Sequence, residues 1–153
     1  MALTVNFRHT NAVRKMLDEL RERGDVDVED FLDAAAATLL ARTRRRFLAE
    51  TDPDGKAWPK SEASIVRRSK GDTGTLFDTG SLFHSLTITR KTAGLRAVGV
   101  LAGAVNRNSR MKVADYAKYL IPGGSAKGKW RFLGVSDQDQ LLIERLLQTK
   151  VGA

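Results

Sequence analysis

Cysteine is absent from this chain of 153 residues, and histidine, proline and aromatic residues are few. The absence of cysteine excludes disulfide frameworks, thiol nucleophiles and thiolate metal sites. With only two histidines, a metal site would have to be built mainly from carboxylates. Apolar runs are also short, since none approaches the roughly 20 residues that a membrane helix needs, and we expect no membrane partner. Stability must come from packing, for which one domain of this length is sufficient.

The overall composition is that of a folded, basic protein. Apolar residues make up 42% and charged residues 29% of the chain, which is typical of globular proteins. The first residues, 1–9, lack the features of a secretory signal, so we expect folding in the cytoplasm. The net charge of +8 is compatible with either nucleic acid or an acidic protein surface as a partner. Charge alone does not choose between these two partners.

The spacing of apolar residues predicts three principal helices. Residues 11–23 have apolar side chains at i, i+3, i+4 and i+7, the pattern of a helix with one buried face. A longer helix is predicted over residues 28–50, with Asp27 as its N-cap. The last helix is predicted after Ser136, which has with Asp139 the spacing of a capping pair.

Loops are predicted to occupy much of the middle of the chain. A turn at residues 52–55 ends the long helix, because proline cannot continue the helical hydrogen bonds. Residues 56–79 are predicted to be rich in loops, with one short helix possible at 63–68. A second exposed loop is predicted at 105–112. Periodicity does not decide between helix and strand for residues 113–121.

An antiparallel hairpin is predicted after Gly80. Residues 82–89 alternate in a way that allows one buried face, and 97–101 are the expected partner strand, with 91–94 as the connection. The predicted fold class is therefore α+β: N-terminal helices, one of them long, and a C-terminal helix around a small antiparallel sheet, with long loops. We expect a single domain over residues 1–153, in which the glycine-rich segment 121–130 is a flexible loop.

One short motif suggests an aspartic protease. Asp78, Thr79 and Gly80 form the tripeptide that carries the catalytic aspartate in such enzymes, which can be homodimers. The same tripeptide occurs at 72–74, too close in sequence for two separate catalytic loops, and no apolar strand leads into either copy. Because all three residue types are ordinary turn formers, we interpret both copies as turns.

The other local patterns do not predict a catalytic or metal site. On a strand, His84 would point away from Ser81 and Ser85, so it is predicted to be a half-buried residue of the sheet. The glycine- and lysine-rich segment 123–129 lacks the ending of a phosphate-binding loop. The acidic residues near the start of the long helix alternate too regularly to converge on a metal, and favour the helix dipole instead: Asp25, Asp27, Glu29, Asp30 and Asp33. No catalytic residue, cofactor or metal ligand is predicted.

Two tryptophans next to basic residues are candidates for contact with a partner. Trp58 and Trp130 each lie beside lysine or arginine in a loop-like context. This arrangement would suit base stacking, an anchor at a protein interface, or packing in the domain core. Together with the nearby cations they form the set of interface candidates: Trp58, Arg67, Arg68, Lys70, Lys127, Lys129, Trp130 and Arg131.

A set of motifs occurs in a fixed order along the chain. The motifs begin with Asp-Pro-x-Gly-x-x-Trp at 52–58 and Thr-Gly-x-Leu-x-x-Ser at 79–85. They continue with Val98-Gly99, the tyrosine-containing segment 116–119 and Phe-Leu-Gly at 132–134. This ordered set resembles the virion morphogenesis, or tail completion, family of tailed phages typified by Mu-like phages. Two departures fall between the last two motifs, because Leu-Ile-Pro-Gly-Gly follows the tyrosines and tryptophan precedes the arginine of the last motif.

The resemblance implies a non-enzymatic virion component at the head–tail junction, or neck, that is assembled in the host bacterial cytoplasm. Such a component would complete the tail or join it to the head as a homo-oligomeric ring of six or twelve subunits. Its partners would be copies of itself and adjacent neck, connector or tail-tube proteins, with contact to packaged DNA possible. The alternatives are a basic nucleic-acid-binding protein and, less favoured by the residues, a homodimeric aspartic protease.

Overall fold

The computed structural model describes residues 4–5, 18, 22, 27–69, 74–77, 79–92, 94–120 and 130–151. Its elements are β1 (Thr4–Val5), α1 (Val28–Ala49), α2 (Glu62–Ser69), α3 (Ser81–His84), β2 (Leu86–Thr92), β3 (Leu95–Val100), α4 (Val113–Leu120) and α5 (Asp137–Val151). The three strands form one antiparallel sheet, and the helices surround it. This arrangement confirms the predicted α+β fold class.

The long helix α1 forms as its terminal residues predict. The Asp27 side chain accepts hydrogen bonds from the backbone N–H groups of Glu29 and Asp30, at 3.0 and 3.1 Å, which satisfies two of the free donors at the helix start. At the other end, Glu50 adopts a left-handed conformation with a φ of 55°. Its N–H bonds back to the carbonyls of Arg46 and Phe47 and so ends the helix.

The sheet has the order β1-β3-β2, with β3 in the centre. Residues from Arg96 to Val100 are all buried, because β3 is covered on both faces. The predicted hairpin of β2 and β3 is confirmed, but its connection is tighter than expected: Lys91 pairs with Arg96 and Thr92 with Leu95. Strand β1 was not predicted, since two residues of strand are too short to show any alternation.

The predicted start of the first hairpin strand is wrong. Residues Ser81–His84 form the short helix α3, and the strand begins only at Leu86. Gly80 precedes the helix with a φ of 68°, and its carbonyl accepts the His84 N–H at 2.9 Å. A buried Leu82 in a single helical turn gives the same local pattern as a strand position. As a result His84 lies exposed at the end of α3 and not half-buried in the sheet.

Several other predicted elements are confirmed. Helix α2 occupies the place of the predicted short helix, and residues 105–112 form an exposed loop closed by a bridge between Val105 and Lys112. Helix α4 resolves the ambiguity over residues 113–121. Ser136 and Asp139 cap α5 as predicted, since each backbone N–H donates to the other side chain, at 2.9 and 3.2 Å.

Two predicted segments lie largely or wholly outside the described residues. Of the predicted helix at 11–23, only Asp18 and Glu22 are described, and both are helical. The segment 121–129, which makes up most of the predicted flexible loop, is not described. Neither prediction is therefore tested along its length.

Two groups of buried side chains lie at different positions along α1. The Phe47 cluster packs near its C-terminal end and comprises Phe47, Trp58, Leu82, Leu86, Val100, Val113, Ala117, Leu120, Phe132 and Leu133. The Phe31 cluster packs near its N-terminal end and comprises Phe31, Leu32, Ala35 and Leu147. Helix α5 supplies Leu147 to the smaller cluster, while the loops and α4 contribute to the larger one.

Candidate functional site

The motif at 52–58 and the motif at 132–134 meet in the structure. The indole N–H of Trp58 donates to the carbonyl of Arg131 at 3.2 Å. Gly134 has a φ of 155°, and a Cβ atom there would lie only 2.8 Å from Cγ of Pro53. The turn itself is closed by the Asp52 carboxylate, which accepts the N–H groups of Asp54 and Lys56. The two motifs therefore form one structural unit beside the Phe47 cluster.

Trp58 is part of the domain core. Only 4% of the residue is exposed, and its ring meets that of Phe47 edge-on, with centroids 5.3 Å apart. Of the three contexts that the sequence left open for Trp58, the structure places it in core packing. Its ring has no free face on which a base could stack.

The described part of the Asp-Thr-Gly segments forms turns. The Thr79 hydroxyl accepts the Ser81 N–H at 3.3 Å and lies 2.6 Å from the Ser81 hydroxyl, which folds the chain into a tight turn before α3. Asp72, Thr73 and Asp78 are outside the described residues. The Ser85 hydroxyl donates to the carbonyl of Leu82 and not to His84. The arrangement that nucleophile activation requires is therefore absent between these described side chains.

The acidic residues at the start of α1 hold the β2–β3 hairpin. Glu29 accepts hydrogen bonds from the Gly94 N–H, at 2.6 Å, and from Arg96, at 2.7 Å. Asp33 binds Arg96 and, at 2.7 Å, Lys91. The hydrogen bonds from Arg96 and Lys91 lower the pKa of Asp33 to about 2. The bond from the Gly94 N–H, followed by that from Arg96, lowers the pKa of Glu29.

A buried ion pair joins α1 to the start of α5. The fully buried carboxylate of Asp139 binds both Arg42 and Arg46. Arg46 also donates to the carbonyl of Gly134 at 3.2 Å and lies 3.4 Å from the Ser136 hydroxyl. Burial by itself would raise the pKa of Asp139, but the hydrogen bonds from Arg46 and the Ser136 N–H, with that from Arg42, lower it overall. These buried charges are thus used in stabilising the fold.

An open groove of about 500 Å³ lies beside the Phe47 cluster. It runs between α2, α3, α4 and the 105–112 loop. Its walls are formed by Ser61, Ala63, Leu76, Thr79, Ser81, Leu82, Asn106, Ser109, Met111, Tyr116, Tyr119, Leu120 and Trp130. This combination of apolar and aromatic surface with a few polar groups is typical of a binding site.

Three large side chains of the groove remain accessible. Met111 is 45% and Tyr119 is 51% exposed. Trp130 is half-buried, and its indole N–H donates to the carbonyl of Pro59 at 2.7 Å, which fixes the ring in the wall. Trp and Tyr are enriched at protein interfaces because they combine a large apolar area with few rotatable bonds. The groove therefore offers apolar anchoring surface to a partner.

The 105–112 loop lines one side of the groove through Asn106, Ser109 and Met111. The Asn106 side chain accepts the N–H groups of Asn108 and Ser109, which folds the loop into a tight turn. The loop also carries exposed cations that form no ion pair with any described residue: Arg107, Arg110 and Lys112. The hydrogen bond from Lys118 lowers the pKa of Asp115, and the charge of Lys112 acts on that carboxyl in the same direction.

The structure brings only some of the interface candidates together. Trp130 lines the groove, and Arg131 lies next to it, where it binds Asp54. The backbone of Arg67 and Arg68 belongs to α2, but their side chains are not described. Lys70, Lys127 and Lys129 fall outside the described residues. Contact of these residues with a partner stays a prediction.

Sequence reasoning did not identify the groove itself. Met111 and Tyr119 were not among the candidates, and neither were the three cations of the 105–112 loop. Tyr119 is an exposed aromatic residue on a short helix, and nothing in the neighbouring sequence marks it as part of a binding site. The groove requires α2, α3, α4 and the loop to come together, and single-sequence periodicity does not predict that.

Among the described residues, no group of three or more histidine, cysteine, aspartate or glutamate side chains is arranged to hold a metal ion. No described helix is both long and apolar enough to span a membrane.

Comparison with known proteins gives one match. The model of the phage virion morphogenesis family matches residues 8–112. No curated protein and no solved structure was found to match the chain. The matched range contains the motifs at 52–58, 79–85 and 98–99, whereas the tyrosine-containing segment and the motif at 132–134 lie beyond it.

Proposed function

Because the chain belongs to the phage virion morphogenesis family, we propose that it is a structural component of the head–tail junction of a tailed phage. In this role it completes the tail or joins it to the head. Its place in the virion is the neck, next to connector or tail-tube proteins. Family membership indicates a role in virion assembly, and a structural protein fits this role better than an enzyme.

The observation that carries the proposal is the groove beside Trp130. Met111 and Tyr119 are exposed in it, and the 105–112 loop that forms one side of it also carries Arg107 and Arg110, which form no ion pair with a described residue. An enzyme would instead be expected to direct paired titratable groups into such a pocket. A surface that combines aromatic anchors with free cations has the character of a protein interface.

Assembly as a homo-oligomeric ring is the second part of the proposal. Repetition of one head-to-tail interface produces a ring when the rotation between neighbours closes. Six or twelve subunits would match the symmetry of tail tubes and head connectors, as the family resemblance implies. A small domain with an interface groove on one side is suited to this form of assembly.

The proposal can be tested by complementation of a phage that lacks this gene. Tyr119→Asp places a charge in the exposed wall of the groove, and we expect separate filled heads and tails with a loss of infectious particles of at least about tenfold, the effect of ~1.4 kcal/mol at one interface. Leu48→Asp is the matched control, because Leu48 is 64% exposed and does not line the groove. Normal virions with Tyr119→Asp, or joined heads and tails without the protein, would contradict the proposal.

Nucleic-acid binding is the second candidate, and the observation that favours it is that the 105–112 loop, which lines the groove together with Tyr119, carries exposed cations. Base stacking on an aromatic residue contributes about 1–3 kcal/mol per base. Tyr119→Ser should then lower affinity for a single-stranded oligonucleotide at least about fivefold, corresponding to ~1 kcal/mol. The structural role predicts no change in this affinity, measured by fluorescence anisotropy at fixed salt, and a defect in assembly only.

A further inference from the structure

We infer that the side of the 105–112 loop that faces away from the groove binds an acidic surface of a second virion protein at the head–tail junction. The inference rests on the proposed structural role and names a partner for it. The surface is called here the outer patch, and it consists of exposed residues that do not line the groove: Leu101, Val105, Arg107, Arg110 and Lys112. The groove stays available to a neighbouring copy of this chain, so the two contacts are separate.

The 105–112 loop has two sides because it begins as an antiparallel pair. Val105 and Lys112 face each other in an isolated bridge, and the Asn106 N–H donates to the carbonyl of Met111 at 2.9 Å. Successive side chains of paired strands point to opposite sides. Asn106 and Met111 line the groove, whereas Val105 and Lys112 do not. The outer patch is therefore a surface distinct from the groove.

Hydrogen bonds fold the loop back on itself. At its base the Val113 N–H donates to the carbonyl of Ala104 at 2.8 Å, and at its tip the Arg110 N–H donates to the carbonyl of Asn106 at 3.0 Å. Arg110 adopts a left-handed conformation with a φ of 54°, which is uncommon for a residue other than glycine. A loop that is preorganised in this way loses little conformational entropy on binding, so its exposed side chains suit an interface.

The outer patch exposes two apolar side chains. Leu101 is 54% and Val105 is 50% exposed. The Ala104 N–H donates to the carbonyl of Leu101 at 3.1 Å, and this turn keeps Leu101 beside the base of the loop. Removal of apolar surface from water is favourable, so a partner that covers both side chains gains affinity from them.

The outer patch also carries positive charge that the nearby sequence does not compensate. No aspartate or glutamate occurs between Asp78 and Asp115. Arg107 and Arg110 are exposed and form no ion pair with a described residue. Cations of this kind favour carboxylates in the facing surface. Arginine is, in addition, a residue type that is enriched at protein interfaces.

A second virion protein fits the outer patch better than another copy of this chain or DNA does. A copy carries the same net charge of +8, so its overall field repels the cations of the patch. A nucleic-acid backbone would pair with the arginines, but it offers phosphate and sugar to Leu101 and Val105. A protein surface that has carboxylates around apolar side chains satisfies both parts of the patch.

Binding of the purified protein to isolated virion parts tests the role of charge. The probes are heads and tails from a phage that lacks this gene, and binding is measured by co-sedimentation at several salt concentrations. Arg107→Asp with Arg110→Asp should weaken binding at least about tenfold and reduce its salt dependence. The matched control is Arg45→Glu with Arg145→Glu, which changes the net charge equally at two exposed arginines outside the patch. Equal losses for the two pairs, or no loss for the first, would overturn the inference.

Loss of the apolar side chains distinguishes a protein partner from nucleic acid. Leu101→Ser with Val105→Ser leaves the charge unchanged and should weaken binding to the same particles at least about fivefold. Affinity for a double-stranded DNA fragment should not change. The control pair is Leu48→Ser with Leu141→Ser, which are 64% and 54% exposed elsewhere and should bind as the wild type does. Unchanged binding of the Leu101 and Val105 variant to the particles would overturn the inference.

A photo-crosslinking residue at the tip identifies the partner and leaves every residue of the outer patch in place. Asn108 is exposed between the two arginines, and Asn108→p-benzoylphenylalanine is incorporated into complete virions. Irradiation should give an adduct with one other virion protein, attached next to aspartate or glutamate in that protein. The same residue at Leu48 should not give this adduct. An adduct of two copies of this chain, an adduct with DNA, or no adduct would overturn the inference.

The outcomes separate this inference from the proposed function. The protein at the head–tail junction, with an Asn108 adduct that contains only its own copies or DNA, would overturn the contact of the outer patch alone. Absence of the protein from the junction would overturn both. An adduct with a second virion protein, together with weaker binding of both loop variants, would support both.

Discussion

The two ends of α1 are stabilised in different ways. Near its C-terminal end the Phe47 ring contacts four other aromatic rings, those of Trp58, Phe77, Phe83 and Phe132. Near its N-terminal end the apolar cluster is small, and ion pairs join α1 to the hairpin and to α5. The family motifs and the groove both lie at the aromatic end. The rigid aromatic packing supports the groove, whereas the ionic end holds the hairpin and the last turn of α5. The start of α5 is held at the aromatic end by the buried pair of Arg46 and Asp139.

The largest expected effect is at the centre of the aromatic end. Phe47→Ala should lower the free energy of unfolding by about 4 kcal/mol, because it removes a fully buried ring and leaves a cavity. Leu147→Ala, at the centre of the Phe31 cluster, should cost about 3 kcal/mol. Urea denaturation followed by tryptophan fluorescence measures both values. A greater loss for Leu147→Ala would contradict the comparison.

A smaller effect is expected at the ion pair between α1 and α5. Asp139→Asn leaves Arg46, whose side chain is 10% exposed, without a buried counter-charge, and should cost roughly 3 kcal/mol. Asp33→Asn should cost less, because the Asp33 side chain is 40% exposed and Arg96 keeps Glu29 as a partner. Denaturation of the two variants at pH 7 checks this order. Equal losses would show that burial does not govern the strength of these pairs.

The contact between the motifs at 52–58 and 132–134 can be tested by substitution of Gly134, which lies against Pro53. Gly134→Ala should cost about 2 kcal/mol, because the residue has a φ of 155° and its Cβ would contact Pro53. Gly55→Ala should cost about 1 kcal/mol, since φ is 85° but no atom lies within 4 Å of the new Cβ. Gly103→Ala, which has neither restriction, is the neutral control. Thermal unfolding should rank the three variants in this order.

The smallest expected effect is the loss of stability in mild acid. The pKa of Asp33 is lowered from 3.8 to about 2, and those of Glu29 and Asp139 are also lowered. Because the unfolded chain then binds protons first, the contribution of these three carboxylates to stability is fully present above about pH 5 and is lost as the pH drops toward 2. Asp33→Asn should flatten this dependence. An unchanged pH profile in that variant would show that the bonds from Asp33 to Lys91 and Arg96 do not contribute to the pH dependence of stability.

Local signals were sufficient to predict the helices. Asp27 and the pair of Ser136 and Asp139 were read correctly as caps, because capping depends only on neighbours in sequence. The helix at 81–84 was missed, since one turn with a buried Leu82 cannot be told from alternating strand positions. Strand β1 was missed because pairing with β3 is its only distinguishing feature.

Long-range contacts explain why the candidate site was predicted only in part. Trp130 was recognised from its basic neighbours, but Met111 and Tyr119 become a site only when α4 and the 105–112 loop meet. Asp139 forms ion pairs with Arg42 and Arg46, and each of these arginines lies more than 90 positions before it in the sequence. Such pairs have no signal in a single sequence. The order of the motifs at 52–58 and 132–134 indicated a family, but their direct contact became visible only in the fold.

Localisation of the protein in the intact virion tests the central claim most directly. A cryo-EM map of the head–tail junction should show a closed ring of six or twelve copies of this domain, each recognisable by α1 crossing the three-stranded sheet. The groove of every copy should face its neighbour. A map in which the junction is complete and contains no copy of this domain would contradict the account.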